Sequence, residues 1–196
     1  MRGAGISADE ALARLLDGNK RYTGGKPAHP HQTAARRTEI AKGQAPFAAI
    51  LGCSDSRAAV EVIFDQGLGD LFVVRVAGNI ADEAGLGSLE YGVGVLRVPL
   101  VMVLGHSRCG AVEAAVKGTE VPGHIAALVR AITPAVDSVK GKPGDALDNA
   151  VRANAAMTVE RLKGTKPVLA EAVEKGALKI VGGRYDLDTG AVEIIA

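Results

Sequence analysis

The chain of 196 residues has little of several features that would define its class. It contains no tryptophan and only 3% aromatic residues, so its core has to be built from valine, leucine, isoleucine and alanine. Its two cysteines are too few for a disulfide scaffold. A formal net charge of +1 gives no electrostatic basis for binding nucleic acid or an anionic membrane surface.

Long apolar runs are also missing from the sequence. One of its most apolar stretches, 98–104, is far shorter than the roughly 20 residues that a membrane-spanning helix requires. The N-terminal segment lacks the apolar core of a signal peptide, because Asp9, Glu10, Arg14 and Asp17 interrupt it. We therefore expect a cytoplasmic protein with no membrane partner.

The length of the chain predicts a single domain. Residues 1–43 are expected to form an N-terminal helical arm, and residues 44–196 an α/β core. Ser7 and Glu10 have the spacing of a capping box at the start of a first helix, and 33–42 predicts a second. Because both helices precede the first strand, we expect them to lie on this domain or on a partner subunit.

Continuous apolar runs alternate with helical patterns in the middle of the chain. The runs 47–51, 71–76 and 100–104 read as strands that are buried on both faces, which is typical of a parallel sheet covered by helices. Near the C-terminus, 178–185 and 191–195 flank a turn-like segment and predict a hairpin. The fold class predicted is therefore α/β, with a mostly parallel sheet.

The only two cysteines lie in short segments that follow two of these strands. Cys53 comes after the 47–51 run, and His106 and Cys109 come after the 100–104 run. Ligands of open parallel sheets bind at the carboxyl ends of the strands, so we expect the three side chains to converge. Each segment taken singly also fits a buried hydrophobic cysteine or a redox pair. Together they predict a zinc site with three protein ligands and an open fourth position.

Asp55 and Arg57 stand beside the first predicted ligand. Side chains two residues apart on an extended segment share a face, so the carboxylate and the guanidinium can form a bidentate pair. An ionised, oriented Asp55 can accept a proton from a water molecule at the metal. Two alternatives stay open: Asp55 turns away from Arg57 and becomes a fourth ligand, or the two residues form a plain surface ion pair.

Three segments of the chain resemble the β-class carbonic anhydrases. They are Cys53-Ser54-Asp55-Ser56-Arg57, the segment from Phe72 to Asn79, and the segment from Gly105 to Val112. The resemblance implies a zinc enzyme that interconverts carbon dioxide and bicarbonate. It also implies four parallel strands with a further edge strand, and dimers or tetramers bound partly by N-terminal helices.

The resemblance also implies roles for individual residues. Cys53, His106 and Cys109 match the zinc ligands, and Asp55 with Arg57 matches the catalytic pair. The matching substrate-binding positions are Gln44, Phe72, Ala77, Tyr91 and Gly110, some of them across a dimer interface.

One branch of this family binds bicarbonate at a regulatory pocket that contains a tryptophan. Ile50 occupies that position here, and Arg75 and Tyr185 resemble other members of the pocket. Together with Gln44, Ile50 favours the other branch, in which water holds the fourth zinc position. Two alternatives remain: a hydrolase of carbonyl sulfide or carbon disulfide, and a zinc-binding protein without turnover.

Overall fold

The computed structural model describes residues 5–196, so the first four residues of the predicted arm lie outside the described part. The described residues form five strands and eight α-helices. In chain order they are α1 (Ala8–Thr23), α2 (Ala34–Ile40), β1 (Ala48–Gly52), α3 (Val60–Ile63), β2 (Leu71–Arg75), α4 (Glu83–Gly94), β3 (Leu100–His106), α5 (Gly110–Lys117), α6 (Ile125–Ser138), α7 (Ala146–Lys163), α8 (Val168–Glu174), β4 (Lys179–Tyr185) and β5 (Val192–Ile194). Strands and helices alternate only from β1 to α5.

The strands form one sheet in the order β2-β1-β3-β4-β5. The first four strands in that order are parallel, and β5 pairs antiparallel with β4. The α/β fold and its mostly parallel sheet, predicted from the apolar runs, are confirmed. The predicted hairpin is also present, because β4 and β5 are joined by a short turn that begins at Asp186.

Alternation along β1 explains why the sheet is buried on both faces. Ala48 and Ile50 belong to a cluster that includes residues of α1 and α3, whereas Ala49 and Leu51 belong to a cluster that includes residues of α4, α7 and α8. Successive side chains of a strand point to opposite faces, so a strand covered on both faces needs apolar residues at every position.

Helix α1 packs on its own chain. Ala11 and Leu15 are completely buried, and the Asn19 amide group donates hydrogen bonds to the carbonyl oxygens of Ile63 and Gly190. The predicted capping box is present at its start. Helix α2, by contrast, has no buried residue. The predicted arm therefore consists of one helix that completes the core and one that lies on the surface.

No helix in residues 5–196 has both the length and the apolar composition that crossing a bilayer requires.

Candidate metal centre

Two neighbouring strands bring the cysteine segments together. β1 and β3 are paired in parallel, with Gly52 opposite Leu104, so both strands end at the same edge of the sheet. Cys53 follows β1 directly, His106 is the last residue of β3, and Cys109 caps the N-terminus of α5. Their ligand atoms lie within 4.8 Å of one another, and all three residues are buried. The structure thus places the three predicted metal ligands in one cluster.

His106 has one ring nitrogen bound to the backbone and the other without a partner among the described residues. Its Nδ1 lies 3.0 Å from the carbonyl oxygen of Ser107, a contact that fixes the proton on Nδ1. Its buried Nε2 has no hydrogen-bonding partner within residues 5–196. A buried nitrogen lone pair without a partner is costly, and a metal ion between the imidazole and the sulfurs would satisfy it.

The two cysteine thiols are within hydrogen-bonding distance of each other. Their sulfur atoms are 4.0 Å apart, and neither cysteine is part of a disulfide. A hydrogen bond from Cys109 lowers the pKa of Cys53, and the backbone N–H groups of Asp55 and Gly78 lower it further. The same contact with Cys53, together with burial, raises the pKa of Cys109. A divalent cation between the sulfurs favours both thiolates, so the donor set fits a metal.

Asp55 faces the cluster and is held by Arg57. The guanidinium donates from Nε to Oδ1 at 2.9 Å and from Nη2 to Oδ2 at 2.7 Å, and the Arg57 backbone N–H also donates to Oδ1. These hydrogen bonds, from the side chain above all, hold the pKa of Asp55 well below its usual range. Oδ2 lies 3.8 Å from His106 Nε2, so the carboxylate borders the ligand atoms while remaining paired with Arg57.

Arg75 supports the segment between the first ligand and the carboxylate. From the end of β2 its guanidinium donates to the carbonyl oxygens of Cys53 at 2.9 Å and of Asp55 at 2.7 Å. The motif resemblance connects Arg75 only with a regulatory pocket and does not predict this contact. The one signal in the sequence for this contact was the position of Arg75 at the end of a predicted strand. The carboxyl ends of parallel strands meet at one edge of the sheet, where Cys53 also lies.

The predicted substrate-binding residues fall into two groups. Ala77 precedes the Gly78 peptide, whose N–H contacts Cys53, and Gly110 begins α5 with open space where a side chain would lie. Both therefore border the cluster. Phe72 and Tyr91 contact each other, with ring centroids 6.1 Å apart.

Phe72 lies three positions before the end of β2, about 10 Å from the carboxyl edge of the sheet. Gln44 precedes β1 and thus lies at the amino edge, with the five residues of β1, about 17 Å, between it and Cys53. One chain therefore does not bring Gln44, Phe72 or Tyr91 to its own metal centre. If these three residues bind substrate, they do so at the metal centre of a second chain.

The fold and the cluster together define an α/β protein with a three-residue site that fits a metal ion. The family model described as carbonic anhydrase matches residues 48–192. Carbonic anhydrase 2 of Mycobacterium tuberculosis is 44% identical over 184 residues, which are 92% of this chain and 89% of that protein. The carbonic anhydrase of Mycolicibacterium smegmatis is 42% identical over 188 residues, covering 94% and 91%.

Solved structures agree with the sequence comparisons. A Coccomyxa β-carbonic anhydrase in complex with acetazolamide superimposes with a TM-score of 0.74 at 27% identity, covering 94% of this chain and 86% of that one. One of two tetrameric β-carbonic anhydrases from Sordaria macrospora has the same fold, with a TM-score of 0.76, 24% identity and coverage of 95% and 98%. The chain belongs to the β-class carbonic anhydrase family, and the resemblance seen in its motifs is confirmed.

Proposed function

We propose that this carbonic anhydrase is a zinc enzyme for the reversible hydration of carbon dioxide to bicarbonate. In this proposal Cys53, His106 and Cys109 hold the ion, and Asp55 with Arg57 forms the catalytic pair. The observation that carries the proposal is the convergence of two sulfurs and an unpartnered imidazole nitrogen beside a carboxylate that is held away from them. Two thiolates and one imidazole suit zinc better than the hard cations, which prefer oxygen ligands.

A bound zinc ion supplies Lewis acidity and a nucleophile derived from water at neutral pH. The residues around it determine how that nucleophile is used. Asp55 stays ionised because of Arg57, so its Oδ2, on the side of the cluster, can accept a hydrogen bond from a water molecule or hydroxide there and orient it. The free space at Gly110 leaves room for a small substrate, and the N-terminus of α5 there favours an anionic product.

Metal analysis combined with stopped-flow hydration of carbon dioxide tests this function. We expect purified wild-type protein to contain zinc and to be active, and Cys53→Ala to lose both. Ser54→Ala is the matched control, because Ser54 is exposed and adjacent to Cys53 in sequence. Full activity in a zinc-free Cys53→Ala protein would contradict the proposal.

The two other candidate functions differ in what the site would do. A hydrolase of carbonyl sulfide or carbon disulfide has the same ligands, so side-by-side assays with carbon dioxide separate the substrates. A zinc protein without turnover needs a closed site with Asp55 as the fourth ligand. The pairing of Asp55 with Arg57 favours the open arrangement and therefore supports the enzyme.

We also propose that the protein forms dimers or tetramers in the cytoplasm. β2 is an outer strand of the sheet, and its residues Leu71 to Val74 are apolar and only partly buried. Covering this edge with a second chain would bury apolar surface, and it would give Phe72 and Tyr91 a place at a subunit interface. Sedimentation velocity measures the oligomeric state, and a monomer at micromolar concentration would contradict this part of the proposal. Cell fractionation tests the location.

A further inference from the structure

Helix α7 carries a buried amide that its packing alone does not explain. Asn154 is 4% exposed and lies between Val151 and Ala155, which are both buried. Asparagine is a poor residue for a helix interior, and its amide costs free energy when buried unless it is hydrogen-bonded. Its Nδ2 donates a hydrogen bond of 2.8 Å to the carbonyl oxygen of Gly78.

The backbone of Gly78 connects this amide to the metal centre through the two peptide groups on either side of its Cα. The Gly78 N–H donates a hydrogen bond of 3.2 Å to Cys53 Sγ. Gly78 has a φ of +72°, and a Cβ at this position would lie 2.6 Å from Ile132 Cδ1. Only glycine therefore fits the turn, and the turn directs its N–H at the sulfur.

We propose that Asn154 is a positioning residue of the metal centre. It holds the backbone of Gly78 so that the Gly78 N–H stays hydrogen-bonded to Cys53 Sγ. The proposal rests on the function proposed above, because it requires Cys53 to be a metal ligand. A hydrogen bond to a ligand sulfur withdraws electron density from it and orients its lone pairs. Without Asn154, the Gly78 carbonyl loses its anchor on α7, and the N–H···S contact weakens.

Asn154→Leu tests the proposal, since leucine has the same number of side-chain heavy atoms in the same branched arrangement and no donor. Thr158→Val is the matched control, because Thr158 lies one turn further along α7, is 9% exposed and also loses a polar group. The protein is loaded with ¹¹³Cd to detect coupling between the metal and the Gly78 amide proton by NMR. It is loaded with Co²⁺ to measure the sulfur-to-metal charge-transfer band, and zinc affinity is measured by chelator competition.

We expect Asn154→Leu to lose the coupling across the hydrogen bond, to shift the charge-transfer band to lower energy and to bind zinc about 10- to 100-fold more weakly. Thr158→Val should match the wild type in all three measurements. If leucine does not fit, Asn154→Ala carries the same expectation without added volume. Wild-type coupling and band energy in a folded Asn154 variant would overturn the proposal.

The test separates this inference from the proposed function. A wild-type protein that shows no sulfur-to-cobalt band has no thiolate-ligated metal, which would overturn the metal site and this inference with it. A wild-type protein with the band, next to an unchanged Asn154 variant, overturns this inference alone.

Discussion

Replacing Arg57 by alanine separates two effects of the Asp55–Arg57 pair, one on stability and one on catalysis. The Arg57 side chain is 53% exposed, and exposed ion pairs contribute about 0–1 kcal/mol. The Asp55 side chain is only 17% exposed and would keep the backbone N–H of Arg57 as a donor. We therefore expect the free energy of unfolding to fall by about 1 kcal/mol, and by no more than about 2.

The expected effect on catalysis is larger. In the wild type, two hydrogen bonds from the guanidinium hold the carboxylate beside the ligand atoms but away from them. Without them, Asp55 loses its orientation and becomes free to move onto the metal position, since Oδ2 is already 3.8 Å from His106 Nε2. Misplacement of an orienting group by about 1 Å can cost about 100-fold in rate. We expect kcat/KM for carbon dioxide hydration to fall about 100-fold, equivalent to about 2.7 kcal/mol.

Arg108→Ala is the matched control for this substitution. Arg108 is 52% exposed and forms a bidentate pair with Asp188 at 2.7 and 2.8 Å. Its partner is an exposed residue of the β4–β5 turn. Stopped-flow rates and urea unfolding are measured for both variants. We expect Arg108→Ala to change kcat/KM less than about threefold. Equal losses in the two variants, or an Arg57→Ala rate close to that of the wild type, would refute the reasoning.

Three further predictions concern stability. Gly18→Ala places a Cβ 1.8 Å from the carbonyl oxygen of Phe64, so we expect a loss of about 2 kcal/mol or more in urea unfolding. The control Gly87→Ala, on an exposed part of α4 with open space, should be neutral or stabilising. Equal changes in the free energy of unfolding for the two variants would contradict the close packing of α1 at Gly18. The backbone N–H of Thr189, followed by the Arg184 side chain, lowers the pKa of Asp186 to about 2. Because this pKa is depressed, the stabilisation exists above pH ~4 and is lost as the pH falls towards 2. Asp186→Asn should therefore be about 1–2 kcal/mol less stable at pH 7, and the difference should disappear near pH 2, whereas a constant difference would contradict this assignment. Removing metal with a chelator should lower Tm by roughly 10 °C, and zinc should restore it. An unchanged Tm in protein shown to be metal-free would mean that the ion does not stabilise the fold.

Much of the fold could be predicted from the sequence because its signals are local. Continuous apolar runs indicated the buried parallel strands, and the capping pattern of Ser7 and Glu10 indicated the start of α1. The cysteine segments were also readable, since strands that are parallel neighbours end at one edge and bring their following residues together. The sequence did not predict which face of the sheet α1 covers, because an amphipathic pattern does not identify the surface that the helix packs against.

The types and spacing of the candidate ligands, and the carboxylate and guanidinium beside Cys53, follow directly from the sequence. The orientation of Asp55 towards Arg57 does not follow from the sequence, because a two-residue spacing permits both the paired and the ligating position, and it is set by the folded chain. The tertiary structure alone also connected Asn154 with Gly78, which is 76 residues away along the chain. Such contacts depend on how helices pack on the sheet, so they cannot be predicted from a local periodicity in the sequence.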